Sequence, residues 1–111
     1  IAEFTDIWSS ADGQTWRLRA ETTGFAARTH FSVLATSNGC YVSDGSVGTQ
    51  GNVSNDLFHA PDCIHFAPIP VPAELPVRHA SSLVEFNDSL VLLGGPQVYF
   101  GAVNEVWQYF P

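Results

Sequence analysis

Three side chains able to bind transition metals, His59, Cys63 and His65, fall within seven residues of one another. Zinc motifs pair such ligands at set spacings and add a second pair further along. This spacing is not one of those, no second pair follows, and strand alternation gives His59 and His65 separate directions. No metal or cofactor is expected. Carboxylates could do acid–base chemistry, and Asp12 and Asp62 draw attention because they occupy matching places in two similar segments. Each lies in a turn, where aspartate ordinarily accepts hydrogen bonds from amides two residues on, and neither has a second carboxylate fixed beside it. No Gly-x-Ser-x-Gly elbow, P-loop or dinucleotide fingerprint occurs. The glycines at 45, 48, 51, 94 and 95 suit turns and close strand packing, since no helix follows them to hold a phosphate. The expectation is a protein that is not an enzyme.

The bulk properties narrow the partners. The chain has 111 residues, enough for one globular unit, and 11 acidic against 4 basic residues give a net charge of −7. Its cations are Arg17, Arg19, Arg28 and Arg78, without a lysine, so phosphate backbones are repelled and nucleic acid is not an expected partner. The longest apolar runs, such as Leu90 to Leu93, fall far short of the roughly 20 residues that span a bilayer. The chain opens Ile-Ala-Glu-Phe without methionine or a signal-peptide pattern, and is expected to be processed or cut from something longer. Aromatic residues at 13%, with abundant Val, Thr, Ser and Gly, indicate a β-protein.

A period of fifty residues organises the sequence. Asp6-Ile7-Trp8 recurs as Asp56-Leu57-Phe58 and, one residue early, as Glu105-Val106-Trp107. Asp12 recurs as Asp62, Trp16 as Phe66, Arg28 as Arg78 and Leu34 as Val84, and the stretch 38–45 maps onto 88–95 without a gap. Each period reads as four short strands. The first covers His30 to Thr36 and Ala80 to Phe86, ending at Asn38-Gly39 or Asn87-Asp88, where tight hairpins require positive φ. The second covers Cys40 to Ser43 and Leu90 to Leu93, the latter apolar enough to be covered on both faces. Glycine-rich connections, 44–54 and 94–102, lead to a third strand at Asn55 to His59 and Asn104 to Tyr109. Asp12-Gly13 or Asp62-Cys63 then turns the chain into a fourth strand carrying Trp16 or Phe66. The sum is nine strands: residues 1–20 end one unit, 28–69 form a complete one and 78–111 form most of the next. Four-stranded antiparallel units repeated radially are propeller blades, so the fold class expected is all-β, a partial β-propeller of about two blades.

These residues resemble the kelch repeat of galactose-oxidase-like β-propellers. The resemblance rests on Arg78-His79, on Leu90 to Leu93 followed by Gly94-Gly95, on Asn104-Glu105-Val106-Trp107, and on Asp12 to Trp16, and it covers nearly the entire chain. The first copy departs from it with Asp44-Gly45 for the glycine pair, Phe58 for the tryptophan and Cys63 for the turn glycine. Ser10 to Trp16 also resembles the Asp-box turn of sialidase-type propellers, one residue shorter. Either resemblance implies that the carboxylate binds turn amides with the aromatic packed beneath. The copper chemistry of galactose oxidase does not carry over, because its ligand motifs are not matched.

Arg28 and Arg78, standing at equivalent positions, are expected to tie neighbouring blades through carbonyls or a carboxylate. His30 and His79 flank the first strands and are expected to make structural hydrogen bonds. Cys40 and Cys63 admit a disulfide or two free thiols; a bond would cross from second to fourth strand, a gap of about 10 Å unless the turn folds inward. Asn52-Val53-Ser54 and Asn87-Asp88-Ser89 fit the N-glycosylation acceptor in exposed loops, and with the cysteines lean toward an extracellular or luminal setting. The function expected is a structural or protein-interaction module whose partners are other protein chains. Its loops 46–54 and 96–103 differ most between copies, with Tyr99 and Phe100 as contact residues. A rival is part of an extracellular carbohydrate-active or glycan-binding propeller whose site lies in other blades. A third reading is a short subunit that closes a ring by self-association or by strand addition at its edges.

Overall fold

The computed structural model describes residues 4–48, 52–97, 101–102 and 104–111. Tyr99 and Phe100 lie outside them. The described residues contain strands and no helix. The strands are β1 (Ile7–Ser9), β2 (Arg17–Ala20), β3 (Arg28–Thr29), β4 (Ser32–Thr36), β5 (Gly39–Val47) and β6 (Asn52–Ala60). They continue with β7 (Ala67–Ile69), β8 (Ser82–Phe86), β9 (Ser89–Leu93), β10 (Pro96–Gln97), β11 (Gly101–Ala102) and β12 (Val106–Tyr109). Every pairing is antiparallel. Blade one is β4-β5-β6-β7, with β3 alongside the far end of β5. Blade two holds β8-β9-β12, and β1-β2 is a hairpin equivalent to the outer half of a blade. The chain is thus an all-β partial propeller.

The described residues form twelve strands where nine are expected, for identifiable reasons. The segment 44–54 is not a loop. At Asp44 (φ 51°) and Gly45 (φ 105°) a bulge redirects β5 instead of ending it, so β5 and β6 run on as a hairpin arm of nine residues each. Gly45 is required there, because a Cβ would stand 2.9 Å from both Phe31 Cβ and the Thr29 carbonyl oxygen. The lengthened β5 gives Arg28 and Thr29 partners in Val47 and Ser46, which creates β3. Asn52 therefore opens β6, exposed, and does not sit in a loop; Asn87 lies in the β8-β9 turn with φ 50°. The first strands begin at Ser32 and Ser82, two residues later than expected, because His30 (φ 55°) and Ala80 (φ 51°) are left-handed. The connection after Leu93 contributes the small β10-β11 pair, and the third strand of blade two starts at Val106.

The two blades are stitched by backbone. Ala80 N donates to His30 O at 2.7 Å, Gly45 N to Arg78 O at 3.0 Å, and Arg78 N to Ser54 O at 3.0 Å. The Ser32 hydroxyl adds a bond to Ser81 O at 2.8 Å. Strand alternation then decides which side chains meet: Tyr41 and Leu57 from blade one pack with Leu90 from blade two, flanked by Leu34, Ile69, Leu83 and Tyr109. The opposite face of blade two is open, with Val84 40% and Val106 65% exposed. Among the described residues Leu90 to Leu93 is accordingly covered on one face, where Leu90 is buried, and open on the other, where Leu93 is 37% exposed.

Candidate functional site

The repeated arginines have the same surroundings in both blades. Arg28 Nη1 donates to Asp44 O at 2.9 Å and to Asp56 Oδ1 at 2.6 Å, while Nη2 reaches Asp56 Oδ2 at 3.2 Å. Its Nε bonds Ala26 O at 3.1 Å, and the Phe25 and Phe58 rings lie 5.3 Å from the guanidinium carbon. Arg78 repeats the pattern on Gly94 O (2.9 Å), Glu105 Oε1 (3.1 Å) and Pro76 O (3.4 Å). Each guanidinium thus fastens the strands of its own blade, a correction to the expectation that it spans neighbouring ones; the inter-blade tie at Arg78 runs through its backbone. Arg78 is fully buried and Arg28 nearly so, and each guanidinium bonds a carboxylate and carbonyls of its own chain, which encloses both away from a ligand arriving from solvent.

Between the clasps lies a residue that sequence reasoning passed over. Asp44 is 1% exposed, its Oδ2 accepts from the Ser81 hydroxyl and, at 3.4 Å, from Ser43 Oγ, and its Oδ1 has no partner among the described residues. Burial pushes its carboxyl up to about 6, against the opposing pull of the Ser81 and Ser43 hydroxyls and of the Arg78 and Arg28 charges. The repeat gave no signal for it because the equivalent position is Gly94. Since the folded value lies above the unfolded 3.8, the folded chain keeps a proton that the unfolded chain releases, and stability falls as pH rises from about 4 to about 6. Asp44→Asn is expected to raise the melting temperature at pH 7.5, to raise it about half as much at pH 5 and to leave it nearly unchanged at pH 3.5, measured by thermal unfolding at all three. The gain at pH 7.5 is on the order of 2 kcal/mol.

The turn aspartates act as caps. Asp12 Oδ1 accepts from Gln14 N and Thr15 N, both at 2.8 Å, and Ser10 Oγ donates to it at 3.0 Å. Asp62 Oδ1 accepts from Ile64 N and His65 N, both at 2.8 Å. Those amide bonds hold both carboxyls below the usual carboxylate range. Gly13 (φ 77°) and Cys63 (φ 61°) share the left-handed position of the turn. Phe66 packs edge-on against Phe25 at 5.3 Å, whereas Trp16 is 56% exposed.

Cys40 and Cys63 form a disulfide. Their Cα atoms are 4.8 Å apart, not the 10 Å of two strand spacings, because Cys40 pairs with Ala60 and the chain turns back at once through the Cys63 N to Ala60 O bond. His59 stacks on Tyr41 at 4.5 Å and bonds Asn38 O at 2.7 Å, while His65 Nδ1 meets Asp62 Oδ2 at 2.5 Å. The sequence cluster is thus divided among separate partners. No group of three potential metal ligands is assembled among the described residues. His30 and His79 pack ring to ring at 5.9 Å, and His79 Nδ1 is buried without a hydrogen-bond partner among the described residues, in place of the structural hydrogen bond expected.

The described residues include a cleft of about 90 Å³ between the blades against Asp44, Leu83 and Trp107, one of about 230 Å³ beside Phe25, Phe31 and Val33, and one of about 300 Å³ at Ser10, Asp12, Thr15, Arg17 and Arg19. No family model and no curated protein matches this sequence.

Proposed function

We propose that the chain is a non-enzymatic module of kelch-type propeller blades that presents variable segments to other proteins from a rigid frame. The observation that carries this reading is the fate of the polar residues. The repeated arginines, Asp12 and Asp62 are consumed by internal bonds, whereas the β5-β6 hairpin runs on past the bulge at Asp44-Gly45 to an exposed end at Gly48 and Asn52. The arm and the segment 96–103, which contains Tyr99 and Phe100, are the stretches of sequence that differ between repeats and can encode a partner. The disulfide supports an extracellular or luminal setting, since such bonds persist in oxidising compartments.

The test is binding of the labelled chain to protein and glycan arrays, with the Tyr99→Ser/Phe100→Ser double variant alongside. Protein ligands are expected, with signal reduced about tenfold or more in the variant. Binding confined to glycans, or protein binding that the double variant retains in full, overturns the proposal.

A further inference from the structure

Two of the four arginines stand outside the clasps. Arg28 and Arg78 are buried within their blades, whereas Arg17 and Arg19 on β2 are exposed, and among the described residues neither of these forms an ion pair. In a chain of net charge −7, the two exposed cations are thus two residues apart on one strand. Arg17 lies opposite Ser9, and Arg19, the extra residue of the β1-β2 bulge, donates from Nη1 to Ser9 Oγ at 3.3 Å. Both line the cleft of about 300 Å³, whose walls come from residues 9–19. The far wall is fixed in advance. The Gln14 and Thr15 amides and Ser10 Oγ hold the Asp12 carboxylate, and Ser10 Oγ itself accepts from Gly13 N at 2.8 Å.

Packing does not account for these arginines. In the repeat register they occupy the places of Ala67 and Ile69 on β7, and Ile69 packs toward the Tyr41, Leu57 and Leu90 cluster at the joint with the following blade. The corresponding face of β2 is therefore the one turned toward blade one, and two cations stand there in place of an apolar contact. Their charges repel each other, and a bound anion relieves that repulsion.

The lining selects among anions. Two guanidinium forks favour an oxyanion. Asp12 stands beside them with its carboxyl held below the usual carboxylate range by the Thr15 and Gln14 amides, and its charge opposes a doubly charged group while tolerating a singly charged one. The Ser9 and Thr15 hydroxyls and the Asp12 carboxylate match a ligand with hydroxyls of its own. Ala11 is the one apolar side chain in the lining, so the cleft lacks the apolar pocket in which a protein partner buries its anchors.

We infer that the β1-β2 hairpin binds an acidic saccharide, a sugar bearing one carboxylate or sulfate ester, with Arg17 and Arg19 on the charged group and Ser9, Thr15 and Asp12 on the hydroxyls. This goes beyond the loop-presenting role and stands or falls apart from it.

Heteronuclear NMR of the full chain at pH 6 tests it, because the four arginines give four side-chain Nε–Hε signals and the buried pair, Arg28 and Arg78, serves as internal reference. Tetragalacturonate is expected to move the Arg17 and Arg19 signals saturably at roughly millimolar concentration or below, and a sulfated galactose tetramer titrated alongside tells sulfate ester from carboxylate. The methyl ester of tetragalacturonate keeps the hydroxyls and loses the charge, and is expected to bind about tenfold more weakly. Arg17→Gln/Arg19→Gln is expected to bind the acid about tenfold more weakly as well, with circular dichroism and the Arg28 and Arg78 signals unchanged. Should that variant misfold, Arg17→Lys/Arg19→Lys keeps the charges without the forks and is expected to lose about threefold. Absence of a saturable shift with both acidic saccharides, full binding of the methyl ester, or wild-type binding by the folded variant would overturn the inference. Tetraglutamate or sulfate ion binding as tightly as the acidic saccharides would do the same, the first pointing to an acidic peptide and the second to an adventitious ion only.

Discussion

Arg78→Met is expected to cost about 3–5 kcal/mol, leaving the chain close to unfolded at room temperature. The side chain is wholly enclosed, and its removal strips a donor from the Gly94 carbonyl, the partner from Glu105 and a neutralising charge from the vicinity of Asp44. Glu105 is 44% exposed and rehydrates, so the larger share of the loss comes from the carbonyl and from Asp44. Two comparisons isolate that cause. Glu105→Gln keeps an acceptor for Nη2 and is expected to lose less than about 1 kcal/mol. Removing Arg78 also takes away a charge that favours ionised Asp44, so the variant's deficit is expected to be larger at pH 7.5 than at pH 5. Urea unfolding followed by circular dichroism gives all of these values; a deficit for Arg78→Met no greater than that for Glu105→Gln would contradict the assignment of the clasp.

Opening the Cys40–Cys63 bond is expected to lower stability by about 3 kcal/mol, since the bond closes a loop across 23 residues of sequence. The urea midpoint of the wild type is expected to fall on addition of a phosphine reductant, and that of Cys40→Ser/Cys63→Ser to be indifferent to it. A finer comparison exploits the backbone. Cys63 holds φ 61°, the conformation of Gly13 in the preceding turn. Cys40→Ala/Cys63→Gly is therefore expected to be more stable than Cys40→Ala/Cys63→Ala by roughly 1 kcal/mol, because glycine enters that region without the steric penalty of a Cβ. Equal midpoints for the two double variants would show that the turn relaxes once the bond is gone.

What was legible in the sequence was whatever the repeat wrote twice. Arg28 and Arg78 were recognised because they recur, and the structure gives them one hydrogen-bonding pattern. The strand sequence of each blade was legible for the same reason, since hydrophobic alternation and turn residues recur in register. Asp44 was not legible, because its role depends on Ser81 of the next blade and its own repeat equivalent is glycine. The long β5-β6 arm was hidden for a related reason. Polar, glycine-containing sequence ordinarily marks a loop, and only the partner strand satisfies those backbone groups as a ladder. The direction of the arginines was likewise misjudged: recurrence reveals that a residue is architectural, and says nothing of which neighbour it holds. The closeness of the two cysteines depended on a three-residue reversal after Ala60, which strand spacing alone does not convey.

The confinement of each guanidinium to acceptors of its own blade has a bearing on how such chains vary in length. A unit whose buried arginine is neutralised internally can be duplicated or deleted whole without stranding that guanidinium, and the one cross-blade side-chain dependence is Asp44, which takes the Ser81 hydroxyl of the next blade. The backbone joints at the blade boundary ask little of side-chain identity, and the apolar faces recur from copy to copy. Natural variation in this architecture is therefore expected to proceed by whole units of about fifty residues, with selection on individual side chains concentrated at the ends of the extended hairpins.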